Sequence, residues 1–331
     1  MKGKFYLSDH QGKGRAYVEA LESAGYVRVQ TPADDPDFAF YDHDVGAGGN
    51  GFRQGLDFLH AKGVPVFLYP HAARPMLQWD GMYPVWPHTV CNYTIAPGHK
   101  AVMEAFGYPV PVEVMGWTYC EISPPAPLLP RRLGLKGGGR LKVLFGPIHP
   151  NGNGWMHPVD KQANAAVLKL LLQTPGIELT VRHIKRVDLS GIWKANHVRY
   201  VLGKANQCIT EIDQADVVIA HQTFAYLAAA RGKPLIMFGD QVKPHSGNKP
   251  ENFRWVASWE KYRGLMQYPL EVENAEGPEG LRAMMEQAMR EDVGAAWRER
   301  FVGRPFDPDA FVRSVEEKLS TDKTQITQME K

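Results

Sequence analysis

Apolar runs of strand length alternate with stretches whose apolar positions recur at helical spacing. KFYLS, starting at Lys4, reads as a first strand and GRAYVEALESAG as its helix. YVRVQ, DFAFYD and VPVFLYP read as further strands, with FRQGLDFLHAKG as a helix before the last of them. TVCNYTIAPGHKAVMEAFGYP then reads as strand, Pro-Gly turn and helix. Strand and helix in strict alternation predict a mainly parallel sheet. ISPPAPLLPRRLGLKGGGR, dense in proline and glycine, breaks the rhythm and reads as a linker.

After the linker the pattern restarts. RLKVLFGPIHP is a strand, KQANAAVLKLLLQ a helix, IELTVRH a strand and VRYVLGKANQCITEI a helix. The series closes on ADVVIAHQTFAYLAAARGKPLIMFG. Here two apolar strands flank a short alanine-rich helix that ends at Gly232 and Pro234, residues that commonly stop a helix. An α/β protein of two Rossmann-like domains is expected. Residues 1–120 form the first, 121–140 the linker and 141–306 the second. PFDPDAFVRSVEEKL gives a C-terminal helix over 307–319 that packs back on the first domain, and residues 320–331 form a flexible tail.

Composition narrows the class. Hydrophobic residues make up 44% of the 331, and no apolar run approaches a membrane span. The first residues carry no apolar segment of signal-peptide length, so a cytoplasmic placement is expected. Cys91, Cys120 and Cys208 fit neither a disulfide framework nor zinc spacing and are expected to be buried thiols. The formal net charge of +2 conceals a partition: residues 131–204 carry 13 Lys and Arg against 3 Asp and Glu, net +10, while the segments on either side each sum to −4. Such a block suits an anionic partner, or simply a solvated basic face.

Polar residues cluster where the second-domain strands end. His149, Asn151, Gly152, Asn153 and Gly154 follow its first strand, Arg182 and His183 close the next, and His221, Gln222 and Thr223 lie between ADVVIA and its helix. Asp240 follows PLIMFG. At the carboxyl edge of a parallel sheet, backbone N–H groups and helix dipoles favour an anion. Lys185, Arg186 and Lys194 either extend the same field or are solvated surface charges. No HExxH or paired-carboxylate motif appears, so no catalytic metal is expected.

Two such domains with an anion site in the second resemble the GT-B fold of nucleotide-sugar glycosyltransferases, in which the domains face each other across a cleft. KVLFGPIHPNGNG, ELTVRH and ADVVIAHQTFAYLAAARGKPLIMFG are similar to the branch containing CDP-glycerol glycerophosphotransferases and UDP-GlcNAc 2-epimerases. The resemblance implies a donor diphosphate held at the last helix start, with His149, Asn151, Gly152, Asn153, Gly154, Arg182, His183, His221, Gln222, Thr223 and Asp240 as the candidate donor-binding residues. His221-Gln222-Thr223 stands where that branch often has serines or Ser-Gly-Gly. The glutamate pair of many retaining relatives is missing, only Asp240 following Phe238-Gly239, which favours inversion. A first-domain base is then required to deprotonate the acceptor hydroxyl. Asp44, before the turn VGAGGNG, is the first choice, His10 the next, and Asp42 and His71 follow. The exposed aromatics of HAARPMLQWDGMYPVWPH suit an acceptor lid or a packed loop. The expected activity is inverting, metal-independent transfer from a nucleotide-sugar, a UDP-sugar foremost, which is a substrate and not a cofactor. Hydroxymethylated bases of phage-type DNA are one acceptor that suits the basic block. The alternatives are a UDP-sugar 2-epimerase and a noncatalytic nucleotide or nucleic-acid binder.

Overall fold

The computed structural model describes residues 2–8, 14–42, 50–70, 89–125, 140–148, 158–183, 198–202, 208–238 and 259–329. These fall into two compact units, one up to Tyr119 together with everything from Gly303 on, the other from Cys120 to Val302.

The first unit contains β1 (Lys4–Leu7), α1 (Arg15–Ser23), β2 (Val27–Val29), β3 (Phe38–Asp42), α2 (Asn50–Ala61), β4 (Val66–Tyr69), β5 (Thr89–Thr94), α3 (Pro97–Ala105) and β6 (Val112–Val114). Its sheet runs β2-β1-β3-β4-β5-β6, every pair parallel. Successive strand residues point to opposite faces, and the sequence uses both. Phe5, Leu7, Phe38, Phe40, Phe67, Tyr69 and Tyr93 join Tyr17, Val18 and Leu21 of α1 in one core. Ala39, Tyr41, Val66 and Leu68, the alternate positions, pack with Leu56 and Leu59 of α2 in another. The three-residue edge strand β6 was not among the strands read from sequence.

The second unit contains β7 (Leu141–Gly146), α4 (Pro158–Gln173), β8 (Ile177–His183), β9 (Val198–Leu202), α5 (Ile209–Gln214), β10 (Val217–Ala220), α6 (Gln222–Ala230), β11 (Leu235–Met237), α7 (Trp259–Met266), α8 (Gly277–Arg290) and α9 (Ala295–Phe301). Its all-parallel sheet runs β11-β10-β7-β8-β9. One sequence expectation is overturned here. VRYVL, which the sequence spacing places at the start of a helix, is the edge strand β9, paired with β8 from Leu179↔Val198 to His183↔Leu202. Its β-branched and aromatic residues favour the pleated surface, and the helix begins only at Ile209.

The C-terminal helix α10 (Pro308–Met329) belongs to the first unit, where Phe311, Val312 and Val315 enter the aromatic core. Asp307 caps it by accepting from the Ala310 N–H at 2.9 Å. It continues to Met329, through residues that the sequence reads as a tail. A backbone seam lies just before it. Trp117 N–H donates to Arg304 O at 2.8 Å, Phe306 N–H to Trp117 O at 3.1 Å, and Asp307 N–H to Met115 O at 3.2 Å. Gly116 permits this approach: its φ is +100°, and a Cβ there would sit 2.3 Å from Pro305 O.

Candidate functional site

In each sheet the first strand has neighbours on both sides, and the strand order reverses beside it. Such switch points leave a crevice outside the carboxyl ends of the strands, where open α/β sheets bind ligands. In the second sheet the switch lies between β7 and β10, whose ends are in register at Gly146↔Ala220. Asp216, just before β10, sets this register from the other end. It accepts from the Lys142 N–H at 2.8 Å through its carboxylate, and its own N–H donates to Lys142 O at 2.9 Å.

β10 is wholly buried and leads directly into α6 through His221, the N-cap residue, with extended backbone at φ −119° and ψ 147°. The His221 side chain makes no capping bond to the helix. Its Nδ1 instead lies 2.8 Å from Phe238 O, at the end of β11. A carbonyl only accepts, so Nδ1 carries the hydrogen and the ring is fixed by that bond. Gln222 and Thr223 occupy the first turn, which carries no acidic side chain. The helix behind them is packed by Phe224, Tyr226 and a run of buried alanines. Phe224 lies against Gly146: a Cβ on that glycine would stand 2.0 Å from the ring. The start of α6 is thereby held against the end of β7, where a larger residue at 146 would displace it.

The chain leaves β7 through Pro147 and Ile148. Ile148 is bracketed by the side chain of Asn164 on α4, whose Oδ1 accepts from the Ile148 N–H at 2.9 Å while Nδ2 donates to Ile148 O at 3.0 Å. His149, Asn151, Gly152, Asn153 and Gly154 follow and lie outside the described residues, as do Asp240, Lys185, Arg186 and Lys194. His183 ends β8.

Arg182 is 3% exposed, and its Nε lies 3.5 Å from Glu211 Oε2 on α5. The guanidinium thus faces a carboxylate inside the unit. Nearby, burial pushes the Cys208 thiol up to about 11, against the pull of Arg182. Cys91 is likewise buried, whereas Cys120, expected to be so, is partly exposed.

The Gly-Lys-Pro that follows α6 has a structural account. Gly232 turns at φ +65°, and a Cβ there would meet Pro124 O at 2.2 Å. Lys233 donates to Asp213 O at 2.6 Å and Ala215 O at 3.1 Å, tying down the carboxyl end of α5.

In the first unit the switch lies between β1 and β3, which pair from Phe5↔Phe38 to Leu7↔Phe40. Ser8, at the β1 exit, donates its N–H to Phe40 O at 3.0 Å and receives the Tyr69 hydroxyl on its carbonyl at 2.6 Å. Asp42 is the last residue of β3. His10, Asp44 and His71 fall outside the described residues, together with the aromatic stretch 71–88. Among the described residues no group of three or more His, Cys, Asp or Glu is placed to hold a metal ion. No helix among them is long and apolar enough to cross a membrane.

The chain aligns over nearly its whole length with solved glycosyltransferase structures. Spinosyn rhamnosyltransferase SpnG matches with a TM-score of 0.54 and 11% identity, over 95% of this chain and 100% of that one. Glycosyltransferase SnogD from Streptomyces nogalater matches at 0.53 and 15%, over 95% and 98%. The fold is GT-B. No family sequence model matches the chain, and neither does any curated protein sequence. The likeness lies in the backbone arrangement.

Asn164, Gly146 and Phe224 are the site-forming residues that the sequence did not single out. Asn164 sits in an ordinary helical stretch, and Gly146 precedes a proline as many loop glycines do. Their roles are contacts between distant parts of the chain.

Proposed function

We propose that the protein transfers a sugar from a nucleoside-diphosphate donor to an acceptor hydroxyl. The observation that carries this reading is the meeting of the β7 exit, the β10 exit and the start of α6 at one switch point, with the His221 ring held by Phe238 O. First-turn N–H groups and the helix dipole favour a diphosphate there, and a His ring already donating through Nδ1 gains a second donor when protonated. A leaving nucleoside diphosphate develops charge in the transition state, and fixed donors of this kind stabilise it. His149, Asn151, Gly152, Asn153, Gly154, Arg182, His183, Gln222, Thr223 and Asp240 remain the proposed companions of His221. For Arg182 to contribute, its field must act past the Glu211 carboxylate.

The finer reading is an inverting, metal-independent transferase that prefers a UDP-sugar. SpnG has been solved with thymidine diphosphate, which makes that nucleotide the natural competitor in a test. The base is Asp44, with His10, Asp42 and His71 as successors. The adjacency of β1 and β3 supports the first three, since all of them end or follow those two strands. The basic block of residues 131–204 suits a polyanionic acceptor, of which DNA with hydroxymethylated bases is one.

The deciding experiment incubates the protein with UDP-sugars and TDP-sugars, with and without hydroxymethylated DNA, in excess EDTA. Acceptor-dependent release of nucleoside diphosphate is the expected result. Release without acceptor, with the sugar epimerised at C2, would install the epimerase in its place. Binding that falls steeply with salt and is never accompanied by turnover would leave a nucleic-acid binder.

A further inference from the structure

Asn164 lies in the second turn of α4 and is completely buried. Asparagine is a weak residue for a helix interior, and burying its amide is costly unless donor and acceptor are both matched. Both are matched here by a single residue, Ile148, at 2.9 Å and 3.0 Å. A neighbouring strand would make the same pair of bonds, and the amide makes them where neighbouring strands have ended. The β7 ladder stops at Gly146 on the β10 side and at Phe145 on the β8 side. Beyond those positions the Ile148 N–H and C=O still need partners, because the residue is buried.

We propose that Asn164 is a positioning residue for the nucleotide site: its amide stands in for the missing strand and fixes the β7 exit beside the start of α6. The link to α6 is short. Ile148 is two residues beyond Gly146, against which Phe224 packs. The inference rests on the diphosphate reading of that switch point. An aspartate at 164 keeps the shape of the side chain. Ionised, it sets a carboxylate oxygen against the Ile148 carbonyl; protonated, it regains one donor and one acceptor in the pattern of the amide. Burial of the introduced carboxyl raises its pKa, bringing that protonation within reach of mild acid.

The test is calorimetric titration of UDP and TDP into the parent protein, Asn164→Asp and Asn164→Ala at about pH 8 and about pH 5, on either side of a raised carboxyl pKa. Far-UV circular dichroism confirms folding, and each variant is referred to the parent at the same pH, which cancels protonation of the nucleotide and any titration shared by the three proteins. Both variants should bind about tenfold more weakly at the higher pH, the loss expected when a buried backbone pair is left unmatched. Asn164→Asp should recover most of that loss at the lower pH, and Asn164→Ala should not. Parent-like affinity in both variants, or no difference between them in their response to pH, overturns the inference alone. If Asn164→Asp fails to fold at the higher pH, parent-like binding by Asn164→Ala still overturns it. A parent protein that binds neither nucleotide overturns the diphosphate reading itself, and the inference with it.

Discussion

The two sheets solve the same packing problem with different materials. The first is filled by rings: Phe40 lies 5.0 Å from Phe67 and 5.6 Å from Phe311, and Phe67 stacks on Tyr93 at 5.7 Å. The second puts an alanine-rich helix and a glycine beside its switch point, Gly146 admitting Phe224 and the buried alanines of α6 admitting close neighbours. Large rings bury much apolar area and tolerate no vacancy, so loss of one ring from the first core is costly. Gly146 lets the Phe224 ring press against the end of β7, which keeps the start of α6 close to the β7 exit. The first sheet's core is therefore sensitive to the loss of a ring, and the second sheet's switch point to the gain of a methyl.

The largest effect expected is on rate. Asp44→Asn should lower transfer by about 10² to 10⁴ while leaving nucleotide affinity unchanged, as for loss of a general base. Single-turnover assays on a verified acceptor check it. A near-parent rate passes the assignment to His10. That result would leave the first sheet with no role in chemistry at Asp44.

Phe40→Ala comes next, with a loss of about 3–5 kcal/mol from the aromatic core. Urea melts should show the first unit unfolding early, with nucleotide binding by the second unit persisting until its own transition. Loss of both together would erase the distinction between the two materials.

Gly146→Ala sharpens the comparison from the other side. The new methyl meets the Phe224 ring, and overpacking costs about 1–3 kcal/mol. Here nucleotide affinity should fall more than stability, because the displaced element is the start of α6. Gly146→Ala with Phe224→Leu should regain part of the binding. A double variant no better than the single would show that the ring is not what the methyl displaces.

The smallest effect concerns pH and α10. Glu113 on β6 accepts from Ser314 at 2.5 Å and from Lys318 at 2.7 Å, and Ser314 also lies 3.1 Å from the Tyr93 hydroxyl. Burial acts to raise the Glu113 carboxyl, but the bonds from Lys318 and Ser314 outweigh it, and its pKa is lowered. A carboxyl whose folded pKa is depressed stabilises the fold above its unfolded value, and that contribution is lost as pH falls through the folded value. Glu113→Gln should therefore cost about 1 kcal/mol at neutral pH, as expected for a partly exposed pair. The gap between variant and parent should close below about pH 4, in thermal melts across that range. A gap independent of pH would assign the effect to packing.

The alternation of strands and helices was legible because each element carries its own period, and the polar island at His221 stood out between two apolar runs. VRYVL reads as helix in the sequence because, with the following GKANQCITEI, it fits a helical spacing, and only pairing with β8 reveals the strand. Arg182 illustrates another limit. A strand-end position says nothing of the residue's partner, and Glu211 lies 29 positions away on α5. Asn164 and Gly146 act through contacts with Ile148 and Phe224 that leave no local pattern.

The central claim is that the start of α6 holds a diphosphate, and calorimetry of UDP and TDP with the parent, His221→Ala and Thr223→Ala tests it most directly. The parent should bind, and His221→Ala should bind about tenfold more weakly, the loss of one charge-assisted hydrogen bond, with a smaller loss for Thr223→Ala. Parent-like affinity in both variants would remove the anion from that helix.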